Sequence, residues 1–157
     1  MKHIERRSFL TGTLAGVFLY SSRAIAQSGP TIHVQKGRGC GCCTIWAKIL
    51  KKEGFQVTEE ERHPADLVQF KIAKGIPQDL HSCHTAEIGG YVIEGHVPVA
   101  DIRRLIAEQP KAVGLAVPNM PYGSPGMGPE NEREAYDVIL FHADGSKEVY
   151  TSYEAAS

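Results

Sequence analysis

Residues 31–54 read TIHVQKGRGCGCCTIWAKILKKEG. Ile32 and Val34 alternate with polar neighbours, which is the period-2 pattern of a short strand, and a glycine-rich turn follows. From Cys43 onward Trp46, Ile49 and Leu50 fall at i, i+3 and i+4, and Gly54 provides a stop, so the spacing predicts a helix of about three turns. The joint between strand and helix carries Cys40, Cys42 and Cys43, three thiols within four residues.

The same alternation continues along the chain. FQVTEEER (55–62) reads as a second strand, and Pro64-Ala65-Asp66 opens a second helix that runs through Leu67 and Phe70 to Gly75. After a loop containing Pro77, AEIGGYVIEGHVP (86–98) reads as one central strand interrupted by glycines. Asp101 falls in the first turn of a third helix, with Val99, Ile102, Leu105 and Ile106 on one face. Strand, helix, strand, helix, strand, helix is the order of an α/β layer structure. GLAVPNMPYGSPGMGPE (114–130) is so rich in proline and glycine that a shaped loop is expected, and YDVILFHADGSKEVY (136–150) places two apolar runs about Asp144-Gly145, a hairpin signature. No internal repeat or low-complexity tract is present.

At the N-terminus, Arg6-Arg7 precede an apolar run from Phe9 to Tyr20 and then Ala24-Ile25-Ala26. This is the pattern of a twin-arginine export signal cleaved after Ala26. The run is well short of the roughly 20 apolar residues a spanning helix needs, so no stable membrane anchor is expected after cleavage. Residues 27–157 would then form a single periplasmic domain. Removing residues 1–26 takes four basic groups and one acidic group from the 17 and 18 of the whole chain, leaving 13 and 17. That acidic balance argues against nucleic acid as a partner.

All four cysteines, Cys40, Cys42, Cys43 and Cys83, lie beyond the signal, in a compartment where unpaired thiols do not normally persist. They are expected to be paired, metallated or catalytic. Cys40 and Cys43 form a CxxC where a strand gives way to a helix, a position that favours the thiolate and suits a thiol–disulfide oxidoreductase. Cys42 complicates that reading. Adjacent cysteines have Cα atoms about 3.8 Å apart, short of the usual disulfide range of roughly 4.4 to 6.8 Å, so a Cys42–Cys43 bridge would be strained. A third thiol beside a redox pair would also compete in exchange.

Three soft donors at a helix start suit a soft cation better, and HSCHT (81–85) adds His81, Cys83 and His84. Thiolate, imidazole and thioether together select Cu(I), with zinc the lesser candidate. Met120 and Met127, both in the glycine-proline loop rather than on an apolar helix face, are candidate thioether ligands. His96, at a strand end before Val97-Pro98, is a candidate to face the same site, whereas His33, His63 and His142 lack clustered donors and read as surface or structural. No GxSxG, GxxxxGK[ST] or HExxH occurs, and Glu59-Glu60-Glu61 reads as a solvated strand end.

The stretches GCGCCTIWAKILKKEGF (39–55), GIPQDLHSCHTAEIGGYVIEGHVP (75–98) and GLAVPNMPYGSPGMG (114–128) together resemble the CopG family of small exported copper-resistance proteins, over about Ile32 to Met127. The resemblance implies a thioredoxin-like three-layer domain, here with a C-terminal β-hairpin. It implies that Cys40, Cys42, Cys43 and Cys83 gather copper as a small thiolate-bridged Cu(I) cluster in the periplasm, with copper redox interconversion as an associated role. His84, His96, Met120 and Met127 fall within the matching stretches, and their assignment as ligands rests on donor chemistry. Copper ions are the expected partners, with periplasmic copper chaperones or efflux components to deliver or remove them. A thiol–disulfide oxidoreductase using Cys40 and Cys43 stands as the alternative. One departure is visible: Asn119 stands where the family pattern has glycine before Met-Pro, and asparagine is the best-tolerated substitute if that position is left-handed.

Overall fold

Residues 31–54 divide as their sequence predicts. In the computed structural model, which describes residues 29–157, strand β1 (Thr31–Gly37) is followed by helix α1 (Gly41–Lys52). The export signal read in residues 1–26 lies outside the described residues. The buried positions of α1 are Cys43, Trp46, Ala47 and Leu50, a single stripe at helical spacing. Gly41 and Cys42 carry no apolar pattern, which is why the helix begins two residues before its periodicity can be read.

Strand β2 (Gln56–Arg62) and helix α2 (Pro64–Ala73) follow, the latter opened by Pro64 in its first turn and closed by left-handed Gly75. Residues 86–98 differ from expectation. They are not one interrupted strand: β3 (His84–Ile88) and β4 (Tyr91–Glu94) pair antiparallel as a hairpin. Gly89 and Gly90 both have positive φ (57° and 88°), and two successive left-handed residues make the two-residue turn that best fits strand twist. Helix α3 (Val99–Glu108) has the predicted apolar face.

The stretch expected to be loop from residue 114 begins with a three-residue strand, β5 (Gly114–Ala116), inserted between β4 and the C-terminal hairpin of β6 (Tyr136–Phe141) and β7 (Lys147–Tyr153). Three residues are too few to show a period. Gly114 is what permits the insertion, because a Cβ there would lie 1.8 Å from the carbonyl oxygen of Val92. The sheet order is β2-β1-β3-β4-β5-β6-β7, with β1/β2 and β4/β5 parallel and the remaining pairs antiparallel.

Alternation along the strands assigns the two faces of the sheet. Ile32, Val34, Ala86, Ile88 and Ile93 share the main core with Trp46 and Leu50 of α1 and Ile102 and Leu105 of α3. The other face carries a smaller cluster of Ile76, Leu80, Val92, Ala116 and Phe141, and α2 meets it through a buried lysine, Lys71, bonded to Thr85 of β3. Helices therefore cover both faces. No helix among the described residues is long and apolar enough to cross a membrane.

Candidate metal centre

Gly39, at φ 69°, turns the chain out of β1, and Cys40 takes an extended conformation as the N-cap of α1. Cys40 and Cys43, one helical turn apart with Cα atoms separated by 5.4 Å, are joined in a disulfide. Cys42 is not bridged to its neighbour, in keeping with the strain such a bond would carry. Its sulfur lies 3.5 Å from Cys40 Sγ and 4.0 Å from Cys83 Sγ. Cys43 is buried, with Sγ 3.9 Å from the carbonyl oxygen of Cys83. The four sulfur atoms all lie within 4.8 Å of one another.

Cys83 belongs to a second group. Its sulfur is 3.0 Å from His96 Nε2 and 3.3 Å from His84 Nδ1, and these three residues again offer ligand atoms within 4.8 Å of one another. His84 is the first residue of β3, on the pleat that faces α1, with its ring 4.4 Å from that of Trp46 and edge-on to His96 at 5.0 Å. Trp46 is in turn fixed by its indole N–H, which donates to the Val97 carbonyl at 3.0 Å. His96 donates from Nδ1 to the carbonyl of Pro125 at 2.7 Å. A carbonyl can only accept, so the neutral ring turns the lone pair of Nε2 toward Cys83, the arrangement that orients metal-ligating histidines. His84 Nε2 is buried without a hydrogen-bond partner.

Burial keeps the groups around Cys83 in their uncharged forms. Burial, reinforced by His96 and Lys71, holds the His84 pKa well below the ordinary histidine value, and burial does the same for His96 against the opposing pull of its bond to Pro125. Both rings are therefore neutral, the form that binds metal. Burial, with the neighbouring Cys42 next in size, pushes the Cys83 thiol up to about 12. A buried thiol held between two neutral imidazoles and a second sulfur is a site at which a soft cation can replace the proton.

The glycine-proline loop forms the outer wall. At Gly126, with φ 90°, an added Cβ would sit 3.0 Å from Cys42 O and 3.0 Å from Trp46 N, so the loop packs directly on the first turn of α1. Met127 follows, partly buried, in a turn closed by its N–H to Ser124 O. Met120 is half exposed, beside a cavity of about 450 Å³ shared with Pro118 and Ile139. Asn119 has φ 62°, the left-handed conformation that the substitution of asparagine for glycine anticipates.

Of the residues singled out in the sequence, Cys40, Cys42, Cys43, Cys83, His84 and His96 thus meet in two groups that share Cys83, while Met120 and Met127 stand in the adjoining loop. His81 turns away and bonds the Ile76 carbonyl at 3.2 Å. His33 pairs with Thr58, His63 caps α2 and His142 bonds the Lys111 carbonyl, structural tasks consistent with their isolation in sequence. Sequence reasoning missed Trp46 and Glu94. The indole falls on an ordinary core stripe and carries no signal, whereas Glu94, an acid between apolar strand residues and Gly95-His96, carried one.

Residues 80–127, which span the second cysteine motif and the glycine-proline loop, match the family described as a protein of unknown function, DUF411. No curated protein matches the chain. Two solved structures do, titled copper resistance protein CopG, forms 1 and 2. Each is 42% identical and covers 80% of this chain and 98% of its own, with TM-scores of 0.75 and 0.74. With that identity over most of both chains, and with the cysteines and histidines gathered as described, the chain belongs to the CopG copper-resistance family.

Proposed function

We propose that the protein binds Cu(I) in the periplasm as part of copper resistance, holding several ions on bridging thiolates of Cys40, Cys42, Cys43 and Cys83. His84 and His96 complete the site, and the loop of Met120 and Met127 closes it. The observation that carries this reading is the convergence of three other sulfurs and two neutral imidazoles on Cys83. Thiolate and imidazole are donors Cu(I) takes readily. Two donor groups with a common sulfur favour bridging, and a thiolate shared by two cations leaves less unpaired charge in a partly buried pocket. The names of the similar solved structures support copper as the metal. The sheet order β2-β1-β3-β4, with its parallel first pair, supports a thioredoxin-like core within residues 29–157. Export by the twin-arginine signal, and exchange of copper with chaperones or efflux components, complete the proposal.

The Cys40–Cys43 disulfide at the start of α1 favours a second reading, a thiol–disulfide oxidoreductase. One experiment separates the two. The protein is reduced anaerobically, given excess Cu(I), stripped of loose metal with a competing chelator, and assayed for copper and free thiols. Two or more retained copper ions per chain, lost in Cys42→Ser, is the expected result. No retained copper, together with a reducible Cys40–Cys43 bond and reductase activity that persists in Cys42→Ser, would replace the copper reading with the redox one.

A further inference from the structure

Glu94 ends β4 and is fully buried, an acid beside apolar Val92 and Ile93. Its carboxylate takes all its partners from the protein. Oε1 accepts from Lys71 Nζ and from the backbone N–H of Ser82, each at 2.5 Å, and Oε2 accepts from Thr85 Oγ1 at 2.6 Å. Lys71, itself buried, reaches in from α2 and also donates to Thr85 Oγ1 at 2.9 Å. A buried ion pair is a weak way to stabilise a fold, because desolvation offsets most of the attraction and apolar replacements are often no worse. Its value here is geometric. Ser82 directly precedes Cys83, Thr85 directly follows His84, and Glu94 lies two residues before His96. One carboxylate thus ties together the backbone segments that carry all three members of the second donor group.

The tie extends further. Ser82 Oγ donates to the carbonyl of Asn119 at 2.5 Å, beside Met120, and Gly95 leaves the space this requires. We propose that Glu94, held by Lys71, is a positioning residue of the copper site: it fixes Cys83 at the junction of the two donor groups. The proposal rests on the copper reading above. It differs from that reading in assigning the placement of a ligand to an ion pair that is not itself a ligand.

The test is a mutant cycle on the reduced protein, with Cu(I) as the only probe, reading affinity by chelator competition and the copper-free melting temperature. Lys71→Met with Glu94→Leu replaces the pair by apolar groups of similar volume. Cys83→Ser removes the ligand. Each change is expected to weaken Cu(I) binding at least tenfold. Their combination is expected to weaken it no further than Cys83→Ser alone, while the apolar pair, which also leaves the Ser82 N–H and the Thr85 hydroxyl without their acceptor, melts lower than wild type but still in one cooperative transition. If the apolar pair fails to fold, Glu94→Gln takes its place in the same cycle. Unchanged affinity in the pair variant, or losses that multiply when combined with Cys83→Ser, would overturn the inference and leave the copper site standing. Unchanged affinity in Cys83→Ser itself would overturn both the inference and the assignment of Cys83 as a ligand.

Discussion

Replacing Gly95 with alanine tests how closely the Cys83 segment is held. Gly95 has φ 72°, and a Cβ built there would lie 2.6 Å from Ser82 Oγ, 2.7 Å from Ser82 Cβ and 2.6 Å from the carbonyl oxygen of Val117. The last is backbone, so no rotamer change relieves it. The left-handed conformation costs a non-glycine residue about 1–2 kcal/mol, and overpacking of this kind adds about 1–3 kcal/mol. The total is about 2–5 kcal/mol. At about 3–5 °C per kcal/mol for a domain of this size, the copper-free protein is expected to melt about 6–25 °C below wild type. Gly90→Ala is the control. Its φ is 88°, but nothing lies within 4 Å of the added carbon, so it carries only the conformational share. Thermal denaturation followed by circular dichroism measures both. Because relief of the clash must move Ser82, Gly95→Ala is also expected to lose Cu(I) affinity, whereas Gly90→Ala keeps it. Equal melting temperatures for the two variants would refute the packing argument.

Two further outcomes are expected. Burial pushes the Cys83 thiol up to about 12, so Cys83 is protonated in the copper-free protein near neutral pH and copper must expel that proton. Apparent Cu(I) affinity should therefore fall as pH falls from 8 to 6, by at least about tenfold per unit. The two histidines, already neutral, add nothing to that slope, and a flat profile in chelator competition would remove Cys83 from the ligands. At position 119, Asn119→Gly should hold or raise the melting temperature while Asn119→Ala lowers it by several degrees, for a conformational cost of about 1 kcal/mol. Equal melting temperatures would mean that the loop relaxes without penalty.

The parts of this protein that could be read from its sequence are those whose signal is local. Helix α1 announces itself through Trp46, Ile49 and Leu50, α2 through Pro64 and Gly75, and the last hairpin through Asp144-Gly145. The cysteines were found because three thiols in four residues admit few explanations. What failed was non-local or too short. The reversal at Gly89-Gly90 depends on two left-handed residues between two short strand-like runs, and β5 owes its existence to its neighbours on both sides rather than to its own three residues. The same holds for the site. Donor types predicted its membership, but the sharing of Cys83, the bond from His96 to Pro125 and the carboxylate of Glu94 behind them all join residues far apart in the chain.

The position of β2 carries a different consequence. It is one of the two edge strands of the sheet, with β7 at the other margin, and an unpaired strand edge is a template on which another chain can add its own backbone. Glu59, Glu60 and Glu61 lie along it, Glu59 paired with Lys36 and Lys51, Glu60 with Arg62, and Glu61 reached by Lys36 at 4.0 Å. A second strand laid against this edge would have to fit beside a row of charged side chains already engaged in ion pairs within the molecule. Charge along an edge strand is a general means by which sheets avoid growing from one molecule into the next, and β2 carries it in both signs.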